Sequence, residues 1–238
     1  MLFPLSLLGK VGAEGSAKRE PVRRLAAHME SAIVGAAITA FVALFPIVNP
    51  VGGLAVFFAL TSSDSESQRR STAARIAVYV FAILVAFALG GSYVLEFFGI
   101  SLSALRIAGG LIVAHTAWTM VTASSRLTPA ENAEAAEKDD IAFSPMAMPM
   151  LAGPGAIGVV MALAARPDPI TWMIGIVIAV LAMSAVIYIL LRAGAPLAKR
   201  MGPGVLGAID RILGFLILAI AIELIITGFR GVYPKFGI

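Results

Sequence analysis

The sequence predicts an all-α polytopic membrane protein whose six transmembrane helices form two inverted three-helix repeats, with spans 1 and 4 broken. Three observations carry this expectation: an apolar composition, charge-free runs of bilayer length, and two pairs of motifs repeated at nearly one spacing. Of 238 residues, 59% are hydrophobic and 13% charged, against about 45–50% and about 25% in an ordinary soluble domain. A soluble fold of this size must still clothe its outside with polar groups, so a water-soluble enzyme and a disordered chain are both excluded. The chain has no cysteine, which removes disulfides, thiolate metal sites and cysteine nucleophiles together. Its two histidines, His28 and His115, are too few for a histidine metal cluster. The net charge of +4 owes much to Lys10, Lys18, Arg19, Arg23 and Arg24. Nucleic acid is therefore not an expected partner, and neither a cofactor nor a metal is expected.

Residues 1–30 read as an N-terminal extension, disordered or lying amphipathically on the membrane surface. Its charge follows the apolar stretch Met1–Gly9 instead of preceding it, unlike a signal peptide; a start of translation at Met29 is a second reading. The first repeat is expected over 31–122 and the second over 141–230, joined by an acidic linker over 123–140. A helix rises 1.5 Å per residue, so about 20 apolar residues cross the roughly 30 Å hydrocarbon layer. The runs Ser31–Ser63, Ile76–Leu95, Ile107–Ser125, Ile141–Ala165 and Pro169–Leu191 all qualify, free of Asp, Glu, Lys and Arg. A sixth span, Leu206–Phe229, is long enough once Glu223 is read through.

Span 1 contains Phe45-Pro46-Ile47-Val48-Asn49-Pro50-Val51-Gly52-Gly53 and span 4 contains Met148-Pro149-Met150-Leu151-Ala152-Gly153-Pro154-Gly155-Ala156, which superpose at an offset of 104. Independently, Leu105-Arg106-Ile107-Ala108-Gly109-Gly110 in span 3 resembles Asp210-Arg211-Ile212-Leu213-Gly214-Phe215 in span 6 at an offset of 105. Repeats of three spans each must enter the membrane from opposite sides. Secondary transporters share that inverted arrangement, with substrate sites near the midplane where the repeats meet. Proline removes a backbone donor and clashes with the preceding turn, at about 3 kcal/mol in a helix interior. Pro46, Pro50, Pro149 and Pro154, with their neighbouring glycines, therefore interrupt spans 1 and 4. The freed backbone groups need protein, water or ligand partners, and a half-helix N-terminus suits a carboxylate. This makes Asn49, Pro50, Gly52, Gly153, Pro154 and Gly155 the candidate substrate-binding residues.

These motifs, together with Phe98-Gly99-Ile100-Ser101-Leu102, resemble the MarC family over about residues 30–230. The resemblance implies a six-span inner-membrane protein related to transporters of small neutral amino acids such as glycine and alanine. On the matching positions it points to Asn49, Pro50, Gly52, Arg106, Gly109, Gly110, Gly153, Pro154 and Gly155. The chain departs from the family pattern at Ala114-His115-Thr116-Ala117-Trp118, where bulky apolar residues are expected.

Ionisable groups inside a bilayer normally face the bundle interior or water. Arg106 and its repeat mate Arg211 read either as snorkelling cations or as symmetry-related gate charges. Glu223, about 18 Å along the helix from Arg211, reads as an interfacial or interhelical hydrogen-bonding group or as a proton carrier. His115, with an unperturbed pKa of about 6.5, reads as a carbonyl or hydroxyl donor or as a coupling residue. Gly109, Gly110 and Gly214 are expected to admit close helix packing.

The expected function is thus a secondary transporter of a small solute, by rocking of one repeat against the other, with H+ or Na+ as candidate coupling ions. The lipid bilayer and a homo-oligomer are the other expected partners. A non-transporting scaffold and an intramembrane enzyme are the competing classes; the second lacks any visible nucleophile and base. The short basic loops after spans 1 and 5 favour both termini outside.

Overall fold

The computed structural model describes residues 28–122, 140–166 and 168–232. The N-terminal extension up to residue 27 and the linker over 123–139 lie outside the described residues. Every regular element among the described residues is helical. In chain order they are α1 (His28–Val48), α2 (Pro50–Leu60), α3 (Glu66–Phe97), α4 (Leu102–Val121), α5 (Ala142–Leu151), α6 (Pro154–Ala164) and α7 (Pro169–Val232). Five stretches are long and apolar enough to cross a membrane: α1, α3, α4, and Pro169–Gly194 and Gly207–Val232 within α7. The pair α5 and α6, bent by 61°, makes a sixth if read as one span.

Local chemistry sets the boundaries. Ser65 caps α3 with its hydroxyl on the Gln68 amide while the Gln68 side chain accepts from the Ser65 amide, a reciprocal capping box. Ser101 caps α4 by accepting from the Ala104 amide. Both α2 and α6 are 11 residues long and begin on a proline, whose missing N–H is no loss at the first helical position. Prolines also account for the irregular α5. Ser144 (φ −125°, ψ 124°) and Met148 (φ −130°, ψ 129°) are extended, as the residue before a proline prefers. The chain accommodates them with wide turns, such as the Ala152 amide donating to the Ala147 carbonyl at 2.7 Å.

The helix ends define two faces. At one, the end of α3, the start of α4, the end of α6 and the start of α7 share a groove lined by Glu96, Leu102, Ala165 and Pro169. At the other, Arg75 of α3 pairs with Asp140 just before α5 at 2.7 Å. A straight α7 would hold Pro169 and Gly231 about 90 Å apart. Instead Gly231 abuts Ser103 beside the same start of α4, so α7 reverses between its two spans.

Two separate cores result. The larger draws on α1, α2, α3, α5, α6 and the first half of α7, with Leu44, Phe57, Ile76, Met146 and Met183 among its fully buried members. The smaller takes its buried residues from α4 and the second half of α7 (Val113, Ala117, Met120, Ile217 and Ala221), with Ile47 of α1 packed against it. Those two helices run antiparallel in direct backbone contact. A Cβ on Gly110 would lie 2.9 Å from the Ala221 carbonyl oxygen, one on Gly214 3.1 Å from that of Ala117, and one on Gly228 2.8 Å from that of Ser103. Small residues that let backbones approach are what holds helices together where lipid removes the hydrophobic drive.

Candidate functional site

The breaks at Asn49 and Gly153 meet at a cavity of about 290 Å³. One wall comes from the larger core's elements, with Asn49 and the Gly153-Pro154-Gly155 turn. The other comes from α4 and α7, with Val113, Thr116, Thr119 and Ile217. The helix α6 covers about 16 Å, about half the thickness of the hydrocarbon layer.

Asn49 is 2% exposed and left-handed, φ 45° and ψ 65°, a conformation its short polar side chain tolerates. It ends α1 and caps α2 at once: its amide donates to the Phe45 carbonyl at 3.0 Å, and its Oδ1 accepts from the Gly52 amide at 2.9 Å. Its Nδ2 donates to Asp210 Oδ1 at 2.8 Å and stands 3.7 Å from Met120 Sδ. The side chain is therefore committed on both its atoms, and the α2 start is already capped.

The α6 start differs. Gly153 occupies the capping position with no side chain to offer, and a Cβ there would collide with the Pro149 carbonyl oxygen. The first intrahelical bond runs from the Ile157 amide to the Gly153 carbonyl at 3.0 Å. The amides of Gly155 and Ala156, residues of the cavity wall, are among the orphan donors that every helix start leaves. A Cβ on Gly155 would also collide with Val113 Cγ2 of α4, so glycine is what lets these two walls close up.

Opposite this turn, the Thr116 hydroxyl donates to the Ile112 carbonyl at 3.1 Å and the Thr119 hydroxyl to the Thr116 carbonyl at 2.7 Å. Their protons are committed, so the oxygens are left as acceptors. His115 is also in the cavity wall and is exposed at the bundle surface. The chemistry on offer is thus amide donors on one side, hydroxyl acceptors on the other, and small apolar surface between.

The structure brings Asn49, Gly153, Pro154, Gly155 and His115 to the cavity, while Pro50 and Gly52 are not in its wall. Around Asn49-Pro50 the Gly52 amide is already held by the Asn49 side chain. Arg106, partly buried in α4, and Arg211, exposed in α7, are likewise not in the wall. Glu223 is exposed and accepts from the Thr227 hydroxyl at 3.4 Å within its own helix. Gly109 faces Gly158 of α6 across the two walls, and Gly110 and Gly214 sit in the α4–α7 contact. Sequence reasoning passed over Asp210 and the α4 threonines. Asp210 had a visible signal, a carboxylate in the first turn of a span where the matching motif of span 3 has Leu105.

The helices and the closed-off polar groups define a multi-pass helical membrane protein. The family model described as MarC family integral membrane protein matches residues 34–233, and the chain belongs to that family. It is 36% identical to a UPF0056 membrane protein of Methanocaldococcus jannaschii, over 82% of this chain and 96% of that one. With the UPF0056 membrane protein YhcE of Escherichia coli (strain K12) the identity is 32%, over 82% and 92%. With the UPF0056 inner membrane protein MarC of Citrobacter koseri it is 34%, over 79% and 90%. No solved structure matches the chain. The protein is a multi-pass protein of the inner membrane.

Proposed function

We propose that this protein is a secondary transporter of a small solute of the glycine and alanine class, built from two inverted three-helix repeats and working by alternating access. The observation that carries the reading is the cavity between two broken helices, with unequal polar groups on its two walls. A solute carboxylate is bound by the free amides of Gly155 and Ala156, at the positive end of α6. Its ammonium is met by the Thr116 and Thr119 oxygens. At about 290 Å³ the cavity lies at the lower bound of ligand pockets, which begin at roughly 300 Å³, and Ile112, Val113 and Ile217 leave room only for a small side chain. The matched pair of 11-residue, proline-initiated helices supports the repeat, since inverted repeats place their half-helices around a shared site.

Purified protein in liposomes tests the reading. Counterflow of labelled alanine is expected, and Thr116→Val is expected to weaken it about tenfold by removing one charge-assisted hydrogen bond, worth about 1.5–3 kcal/mol. Flux that is absent from the parent protein, or equal in the parent and in Gly153→Ala, would sink the assignment.

A further inference from the structure

We propose that α4 and the second half of α7 move as one unit against the rest of the bundle, and that Asp210 is the positioning residue that holds this unit on Asn49. The inference rests on the transport reading only in taking the cavity as the site; it departs from the expectation that one repeat rocks on the other, because α4 belongs to the first repeat and the second half of α7 to the second.

Four observations converge. The two helices share a core of their own, distinct from the core that unites α1, α2, α3, α5, α6 and the first half of α7. Within the pair, glycines bring backbone against backbone at Gly110, Gly214 and Gly228, and Gly231 abuts the Ser103 side chain. The cavity lies along the seam between the two bodies, with walls contributed by both. Across the seam, Gly109 of α4 faces Gly158 of α6, where a Cβ on either would lie 3.6–3.8 Å from the other's Cα, and the Val113 side chain of α4 packs on Gly155 of α6. Facing glycines leave room for rolling or sliding without repacking, whereas interdigitated side chains resist it. Asn49 spans the seam at its other polar contact, reaching Asp210 on α7 at 2.8 Å and Met120 on α4 at 3.7 Å. One buried amide of the larger body thus touches both helices of the smaller. That amide also fixes the α1–α2 corner through Gly52, so release of Asp210 alters the cavity wall and the seam together.

The natural chain has no cysteine, so paired spin labels can be placed without a background. Four outward-facing positions serve: Ala104 on α4, Phe215 on the second half of α7, Val78 on α3 and Leu181 on the first half of α7. Ala104→Cys with Phe215→Cys lies within the proposed unit but joins the two repeats. Ala104→Cys with Val78→Cys, and Phe215→Cys with Leu181→Cys, each cross the seam but stay within one repeat. In nanodiscs the first pair is expected to give one narrow distance distribution, unchanged by saturating alanine. The other two are expected to be broad or double and to redistribute with alanine or with Asp210→Ala. Asp210→Asn, which keeps an acceptor for Asn49 Nδ2, is expected to restore the parent distribution. The opposite pattern, broad within the unit and narrow across the seam, would favour repeat rocking and overturn the proposal, as would three narrow distributions that nothing moves. Unchanged cross-seam distances in Asp210→Ala would overturn the role of Asp210, and the narrow Ala104–Phe215 distance in the same variant checks that it has folded. If the distances behave as expected but labelled alanine is not transported, the transport reading fails and the moving unit stands.

Discussion

Asn49 and Gly153 hold equivalent places, each just before a proline that opens an 11-residue helix, yet they leave those helices in opposite chemical states. The first covers its helix start with its own side chain; the second leaves the start bare because the Pro149 carbonyl fills the space of a Cβ. Gly153→Ala is therefore expected to destabilise the protein by about 2–3 kcal/mol, the usual penalty for a forced clash in a packed site, read as a lowered Tm in detergent. Ser184 behaves differently. Its hydroxyl is buried, 5% exposed, and has no hydrogen-bond partner among the described residues. Since an orphaned buried hydroxyl is unfavourable by about 1–3 kcal/mol, Ser184→Ala should raise Tm or leave it unchanged, and a fall of several degrees would contradict this account. At this scale the sequence was informative about where the chain breaks, because proline and glycine act locally. It marked Asp210 only as a carboxylate at the start of a span, because its partner lies 161 residues away.

Helix pairing follows from where glycine stands on each element. In α3, a Cβ on Gly90 would meet nothing within 4 Å, whereas one on Gly91 would press on Met161 of α6 at 2.6 Å. Gly90→Ala should stabilise α3 by up to about 1 kcal/mol, the propensity difference between the two residues. Gly228→Leu should do the reverse, by about 1–3 kcal/mol, because its side chain would enter the Ser103 and Ile107 backbone of α4. Thermal unfolding of the two variants beside the parent separates these signs. The spans themselves were legible from charge-free runs, since bilayer thickness fixes their length. Their partners were not. The Gly109-Gly110 pair announced a close contact, but adjacent residues point to different neighbours around a helix: Gly109 meets α6 and Gly110 meets α7. Nor could periodicity foresee the wide turns of α5, where two X-Pro steps override helical geometry.

For the whole molecule, the described arginines divide unequally between the two faces. Arg69 and Arg70 near the start of α3, Arg75 beside Asp140, and Arg192 stacked 5.9 Å over Tyr188 gather at one. Arg166, 4.4 Å over the Trp172 ring, and Arg230 stand at the other. Short cytoplasmic loops carry the excess of such cations, so the Arg69 face is expected to be cytoplasmic. Single cysteines at Ser63 and Gly99 would report this with a membrane-impermeant thiol reagent on intact cells: labelling at Gly99 alone is expected, and labelling at Ser63 alone would reverse the orientation. Sequence charge counting pointed the same way because these loops are short. It could not show that the closely packed pair of α4 and the second half of α7 joins the two halves of the chain, because that pairing is set by surface shape and not by order along the sequence.

The unequal starts of α2 and α6 have a consequence for energetics. If the two halves were true copies, exchanging their roles would give outward-open and inward-open forms of equal free energy, and each would be half populated at rest. One half closes its helix start by itself, while on the proposed transport function the other depends on a guest. The empty protein is then expected to favour the form in which fewer donors go unanswered, and the bound solute to relieve that bias. A bias of only 1.4 kcal/mol makes one form tenfold more populated, enough to give the molecule a preferred waiting posture and unequal affinities on its two sides.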